Sequence, residues 1–136
     1  MMSRENLRVV LGMVEAWNAK DFDRFVELLH PDIEWHDRTL FPDAGVHRGR
    51  AAVERHIREI AATVDLRWDV DETVDAGDSV VLCATLRGQG AESGTPFEER
   101  VYAVGTVRDG LVLRRESYSS RAAALRAVGI SRETSG

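Results

Sequence analysis

Residues 97–118, FEERVYAVGTVRDGLVLRRESY, carry the pattern on which the fold turns. Asp109-Gly110 at the centre is a two-residue hairpin signal, since both types tolerate positive φ. The runs on either side, Phe97 to Arg108 and Leu111 to Tyr118, read as strands. A two-residue turn fixes the register, with Arg108 opposite Leu111 and Val107 opposite Val112. Counting outward, Gly105 opposes Arg114, Ala103 opposes Glu116 and Val101 opposes Tyr118. Opposed side chains share a face. Val101, Ala103, Gly105, Glu116 and Tyr118 then line one side, and the small Ala103 and Gly105 leave room beside the acid and the phenol. A one-residue slip would exchange the faces. The other side carries Tyr102, Val104, Leu111 and Leu113, an apolar patch that predicts a homodimer through the convex sheet face.

Upstream, alternation continues. Leu66, Trp68, Val70 and Val74 interleave with acids and Arg67, and Val80, Leu82, Ala84 and Leu86 follow the Gly77-Asp78 turn. These are two more strands. Gly88 to Pro96 holds three glycines in nine residues and reads as a mobile loop able to border or gate a pocket. The N-terminal third has helical spacing instead. Leu7, Val10, Leu11, Val14 and Trp17 form one stripe. Phe22, Phe25, Val26 and Leu29 form a second, with Asp21 as N-cap and His30-Pro31 as stop. Val53, His56, Ile57, Ile60, Ala61 and Val64 form a third, on a helix from about Arg50 to Thr63. Between the second and third helices lie a short strand, Ile33 to Asp37, and a loop from 38 to 49. A short helix, about Ser120 to Val128, ends at Gly129. The fold class is α+β: a curved antiparallel sheet wrapped around three N-terminal helices and enclosing a pocket.

The 136 residues suit one domain, spanning 1–130, with 131–136 as a disordered tail. Net charge is −5, and the 18 Lys and Arg residues are interleaved with acids, so no basic stripe suggests nucleic-acid binding. No apolar run is long enough to span a membrane, and none resembles a signal core. The single cysteine, Cys83, cannot form an internal disulfide. A cytoplasmic location is expected.

Four stretches resemble the SnoaL-like branch of the nuclear transport factor two-like superfamily. They are Ala16 to Asp23 (AWNAKDFD), His30 to Trp35 (HPDIEW), His47 to Val53 (HRGRAAV) and Val107 to Val112 (VRDGLV). The resemblance implies a cone-shaped domain, commonly dimeric, that hosts many chemistries. Ketosteroid isomerase-like members place a carboxylate base at the end of the early strand, and Asp37 falls there. Their two oxyanion donors fall on Met13 and Ala103, which cannot donate, so steroid isomerisation is not expected. Limonene epoxide hydrolase-like members use an aspartate, arginine and aspartate set. Glu116 falls on the last of these, while the other two fall near Cys83 to Thr85, where no charge exists.

Asp37, His56, Glu116 and Tyr118 are therefore the candidate catalytic residues, with Asp37 as general base and the others as proton partners or orienters. Trp17, Trp35, Phe41, Val101, Ala103 and Gly105 are candidate substrate-binding residues, core packing being the alternative for the aromatics. His36 and Asp37 point to opposite faces of a strand, so with His47 they do not suggest a metal site; no cofactor is expected. The expected ligand is a small, largely apolar polyketide-, terpenoid- or steroid-like molecule. The expected activity is cofactor-free acid–base chemistry of isomerase, cyclase or dehydratase type, the alternative being a non-catalytic binding or dimerisation module.

Overall fold

The computed structural model describes residues 3–37, 45–90 and 93–130. Helix α1 spans Ser3–Asn18 and α2 spans Phe22–Glu27. Lys20, at φ 60°, takes the left-handed turn between them, and Asp21 caps α2 by accepting from the Arg24 amide at 3.1 Å. Strand β1 is Leu29–His36, starting earlier than the sequence suggested because Pro31 sits near its start, where a missing N–H is tolerated. β2 is Val46–Arg48, a three-residue strand inside the segment expected to be loop. Helix α3 is Arg50–Thr63. β3 (Val64–Ala76), β4 (Ser79–Gly90), β5 (Pro96–Arg108) and β6 (Leu111–Tyr118) form the meander, and α4 (Arg121–Ala127) closes the described chain. Ser120 caps α4. Among the described residues, no helix is long and apolar enough to cross a membrane.

The six strands make one sheet in the order β2-β1-β6-β5-β4-β3. It is mixed rather than wholly antiparallel, because β1 runs parallel to β6. α1 is tied to β3 by polar contacts of long sequence separation. Trp17 Nε1 donates to the Leu66 carbonyl at 2.9 Å, and the Asn18 side chain exchanges two 2.9 Å hydrogen bonds with the Trp68 backbone. Val10, Val80, Leu82 and Val107 pack on the α1 side. The other side of β4, with Val81 and Cys83, packs with Val104 against Ala124 and Leu125 of α4. Of the apolar patch expected to face a dimer partner, Tyr102 and Val104 pack with the chain's own last helix. Among the described residues the one large exposed hydrophobic is Val46.

Asp109 (φ 55°) and Gly110 (φ 77°) build the hairpin turn, and Val107 opposes Val112 as the turn requires. Beyond that pair the register shifts. Thr106 opposes Arg114, leaving Leu113 unpaired as a β-bulge; Gly105 then opposes Arg115, Val104 opposes Glu116, Ala103 opposes Ser117 and Tyr102 opposes Tyr118. This corrects the expected pairing, and every side chain of β6 beyond the bulge changes face.

Candidate active site

The inner face of the sheet, α1 and α3 enclose a cavity of about 60 Å³. Its walls are apolar, Trp17, Trp35, Trp68, Ala103 and Gly105 among them, and two charged groups, Asp37 and Arg115, interrupt them. Gly105 is there for close approach: a Cβ at that position would stand 3.1 Å from a Val10 methyl.

β1 delivers Asp37. Ile33 and Trp35 point inward and are buried, and Asp37, two residues on, follows the same face. Its amide donates to the Gly45 carbonyl at 3.0 Å, fixing the strand end. Its side chain is only 8% exposed. Three donors converge on the carboxylate. Trp35 Nε1 (2.9 Å) and Arg115 Nη1 (2.7 Å) reach Oδ1, and His56 Nε2 reaches Oδ2. An ionised carboxylate has about four acceptor positions, so Oδ2 retains one.

His56, 5% exposed, points in from α3, as its place in an apolar stripe suggested. With Asp37 ionised, Nε2 must carry the hydrogen. The ring stacks on His47 at a centroid distance of 3.8 Å and 17° between planes. The structure thus brings Asp37 and His56 together, with His56 behind the acid rather than at the cavity wall. His36, by contrast, pairs with Glu34 at 3.0 Å, and that hydrogen bond holds the Glu34 carboxyl below its usual range.

Glu116 and Tyr118 are not in the cavity. The bulge turns them to the other face, where Glu116 pairs with Arg114 at 3.1 Å and Tyr118 packs near α4. Burial, then the neighbouring Glu116, raises the Tyr118 phenol above its ordinary value. Arg115, which hairpin counting had turned outward, is the group delivered instead. Its side chain is 7% exposed, and its guanidinium lies 4.6 Å from the Trp35 ring centroid and 5.4 Å from that of Trp68. Burial lowers its pKa, and Asp37 opposes that shift. One signal could have found it: Leu111-Val112-Leu113 breaks the alternation of a half-buried strand, and a bulge is what lets both Val112 and Arg115 face inward.

Of the expected binding residues, Trp17, Trp35, Ala103 and Gly105 line the cavity. Val101 is buried on the same face but belongs to the core cluster rather than the wall. Phe41 lies outside the described residues. No described residue of the 88–96 segment lines the cavity either, and β4 runs to Gly90.

Asp37, His47 and His56 each place a ligand atom within 4.8 Å of the others. A shared ion would need to sit about 2.0–2.1 Å from each ring nitrogen and near each ring plane. Two rings stacked nearly parallel cannot meet that, and the Arg115 cation already occupies Asp37. As arranged, the trio is an imidazole stack on an acid and does not fit a metal.

The architecture is that of the nuclear transport factor two-like fold. A protein of that fold from Burkholderia pseudomallei superposes with a TM-score of 0.77 at 21% identity, covering 92% of this chain and 98% of its own. Another from Burkholderia xenovorans gives 0.76 at 26% identity, covering 95% and 99%. A candidate polyketide cyclase from Xanthomonas campestris gives 0.74 at 20% identity, covering 93% and 98%. Within that fold the chain belongs to the SnoaL-like domain family, whose model matches residues 10–115. No curated protein matches the chain in sequence.

Proposed function

We propose that this SnoaL-like domain binds a small, largely apolar molecule in the cavity and performs cofactor-free acid–base chemistry on it, with Asp37 as the base. The observation that carries this reading is a buried carboxylate, paired with Arg115 at the wall of a cavity whose remaining lining is apolar, and backed by a buried imidazole. The structural neighbour from Xanthomonas campestris, described as a candidate polyketide cyclase, is in keeping with it.

The Asp37 carboxylate, through its free acceptor position, takes a proton from an acidic C–H of the ligand; the C–H electron pair becomes the C=C bond of an enolate and the carbonyl π pair moves onto the oxygen. The same proton returns from Asp37 to another carbon in an isomerisation, or to the new alkoxide in a ring closure. His56, donating to Oδ2, is a positioning residue: it fixes the carboxylate and shares its charge.

Proton exchange at carbon tests this without knowledge of the natural substrate. Apolar ketones and esters with acidic C–H groups are incubated in deuterated buffer and followed by NMR. The protein should accelerate exchange of members that fit, and Asp37→Asn should slow it by about 10²–10⁴-fold, the usual worth of general base catalysis. Equal rates in protein, variant and buffer would remove the catalytic reading. They would favour a binding module, for which the three donors already on Asp37 are the supporting observation.

A further inference from the structure

We infer that Arg115 selects the ligand: the cavity takes an apolar molecule carrying one anionic or enolisable oxygen group, such as a carboxylate, a phenolate or a 1,3-dicarbonyl, seated on the guanidinium. The inference rests on the proposed ligand-binding role of the cavity and specifies its substrate class.

Arginine presents donors in a planar fork and has no acceptor. Here only Nη1 is engaged, by Asp37 Oδ1 at 2.7 Å and the His36 carbonyl at 3.5 Å. Nε and Nη2 form no hydrogen bond among the described residues, although the side chain is nine-tenths buried and lines the cavity. Neither is sealed among apolar atoms, so both donors stay open to an acceptor that enters the cavity. Apart from Asp37, the remaining wall is built of apolar side chains, among them Met13, Trp17, Trp68, Leu82 and Ala103. Asp37 balances the charge of the guanidinium but takes up only Nη1, so the fork keeps donors for a second oxygen. The faces of Trp35 and Trp68 fix the guanidinium and screen it from water. The result is a held, partly unsatisfied cation at one end of an apolar chamber. That arrangement favours an oxygen anion over a neutral oxygen, and it places a donor where an enolate oxygen forms when Asp37 takes the proton. It also supplies an oxyanion donor in a chain whose Met13 and Ala103 cannot serve as one.

Isosteric pairs test the inference on the wild-type protein: benzoate against benzamide, and 2-naphthoate against 2-naphthamide. Affinity is read by tryptophan fluorescence and by the ¹⁵N–¹H resonance of Arg115 Nε. At least one acid should bind about tenfold or more tightly than its amide, the effect of one charge-assisted hydrogen bond. It should also move the Arg115 Nε resonance, and Ala103→Leu, which fills the cavity, should abolish both effects. Equal affinity for acid and amide would overturn the inference while leaving the cavity a ligand site. So would acid binding that leaves Arg115 Nε unmoved, or that survives Ala103→Leu. Binding of neither member of either pair would overturn this inference and the ligand-binding reading together.

Discussion

Removing Arg115 leaves the Asp37 carboxylate buried against Trp35 with its one full counter-charge gone, and removing Asp37 strands the guanidinium between two indoles. A broken buried pair costs about 3–5 kcal/mol, because the surviving charge has lost its compensation. Arg115→Met should therefore lower unfolding free energy by about that amount in a urea titration. The double variant Arg115→Met/Asp37→Asn should cost clearly less than the sum of the two single changes, since neither charge remains. Strict additivity would mean the two groups do not interact. Asp37 and His56 were legible residue by residue. One sits two positions past an inward Trp35, and the other is the polar member of an apolar helical stripe, so local periodicity aims both inward. Glu116, Tyr118 and Arg115 were not legible in this way, because their facing depends on the register of two strands.

Register is decided at the level of the element. A two-residue turn fixes only the pairs next to it, and the bulge at Leu113 lies one pair further out. β6 is also held from its other side by β1, with Trp35 beside Arg115 and His36 beside Glu116 in a parallel pairing. Hairpin counting knows nothing of that second neighbour. β2 was missed for a related reason: three residues carry no period, and only pairing to β1 makes them a strand. Gly88 shows the reverse case, a residue that suggested a loop and lies within β4. A Cβ there would stand 2.3 Å from the Asp65 carbonyl oxygen and 3.2 Å from Leu66 Cα. The obstacle is backbone, which cannot swing aside as a side chain can. Gly88→Ala should force β3 and β4 apart locally and cost about 1–3 kcal/mol, as overpacking does. Hydrogen exchange should rise in the amides around Leu66 and Gly88 and stay unchanged in α4. A variant as stable as the parent would show that the strands close less tightly than described.

At the scale of the whole molecule the sheet has two covered faces, one closed by α1, α2 and α3 and the other by α4. The second layer buries Cys83 fully and Tyr118 in part. Burial raises the Cys83 thiol above its ordinary value of 9.0, with Glu72 adding to the shift. Burial and Glu116 raise Tyr118 above 10.0. In the unfolded chain both groups ionise at their ordinary values, so above about pH 9 the unfolded state binds fewer protons than the folded one. Stability must then fall as pH rises. The contribution is complete below the unfolded values and is lost through the folded ones. Few other groups obscure the effect, since Lys20 is the chain's only lysine and arginine does not titrate there. Urea midpoints should hold between pH 7 and 8.5 and then drop steadily to pH 10.5. Cys83→Ala removes the thiol's share, so its midpoint should decline less steeply, and Tyr118→Phe should remove the later part of the fall. A flat profile to pH 10.5 in the parent protein would mean that α4 does not seal this face, and that the apolar surface behind it is open to a second chain after all.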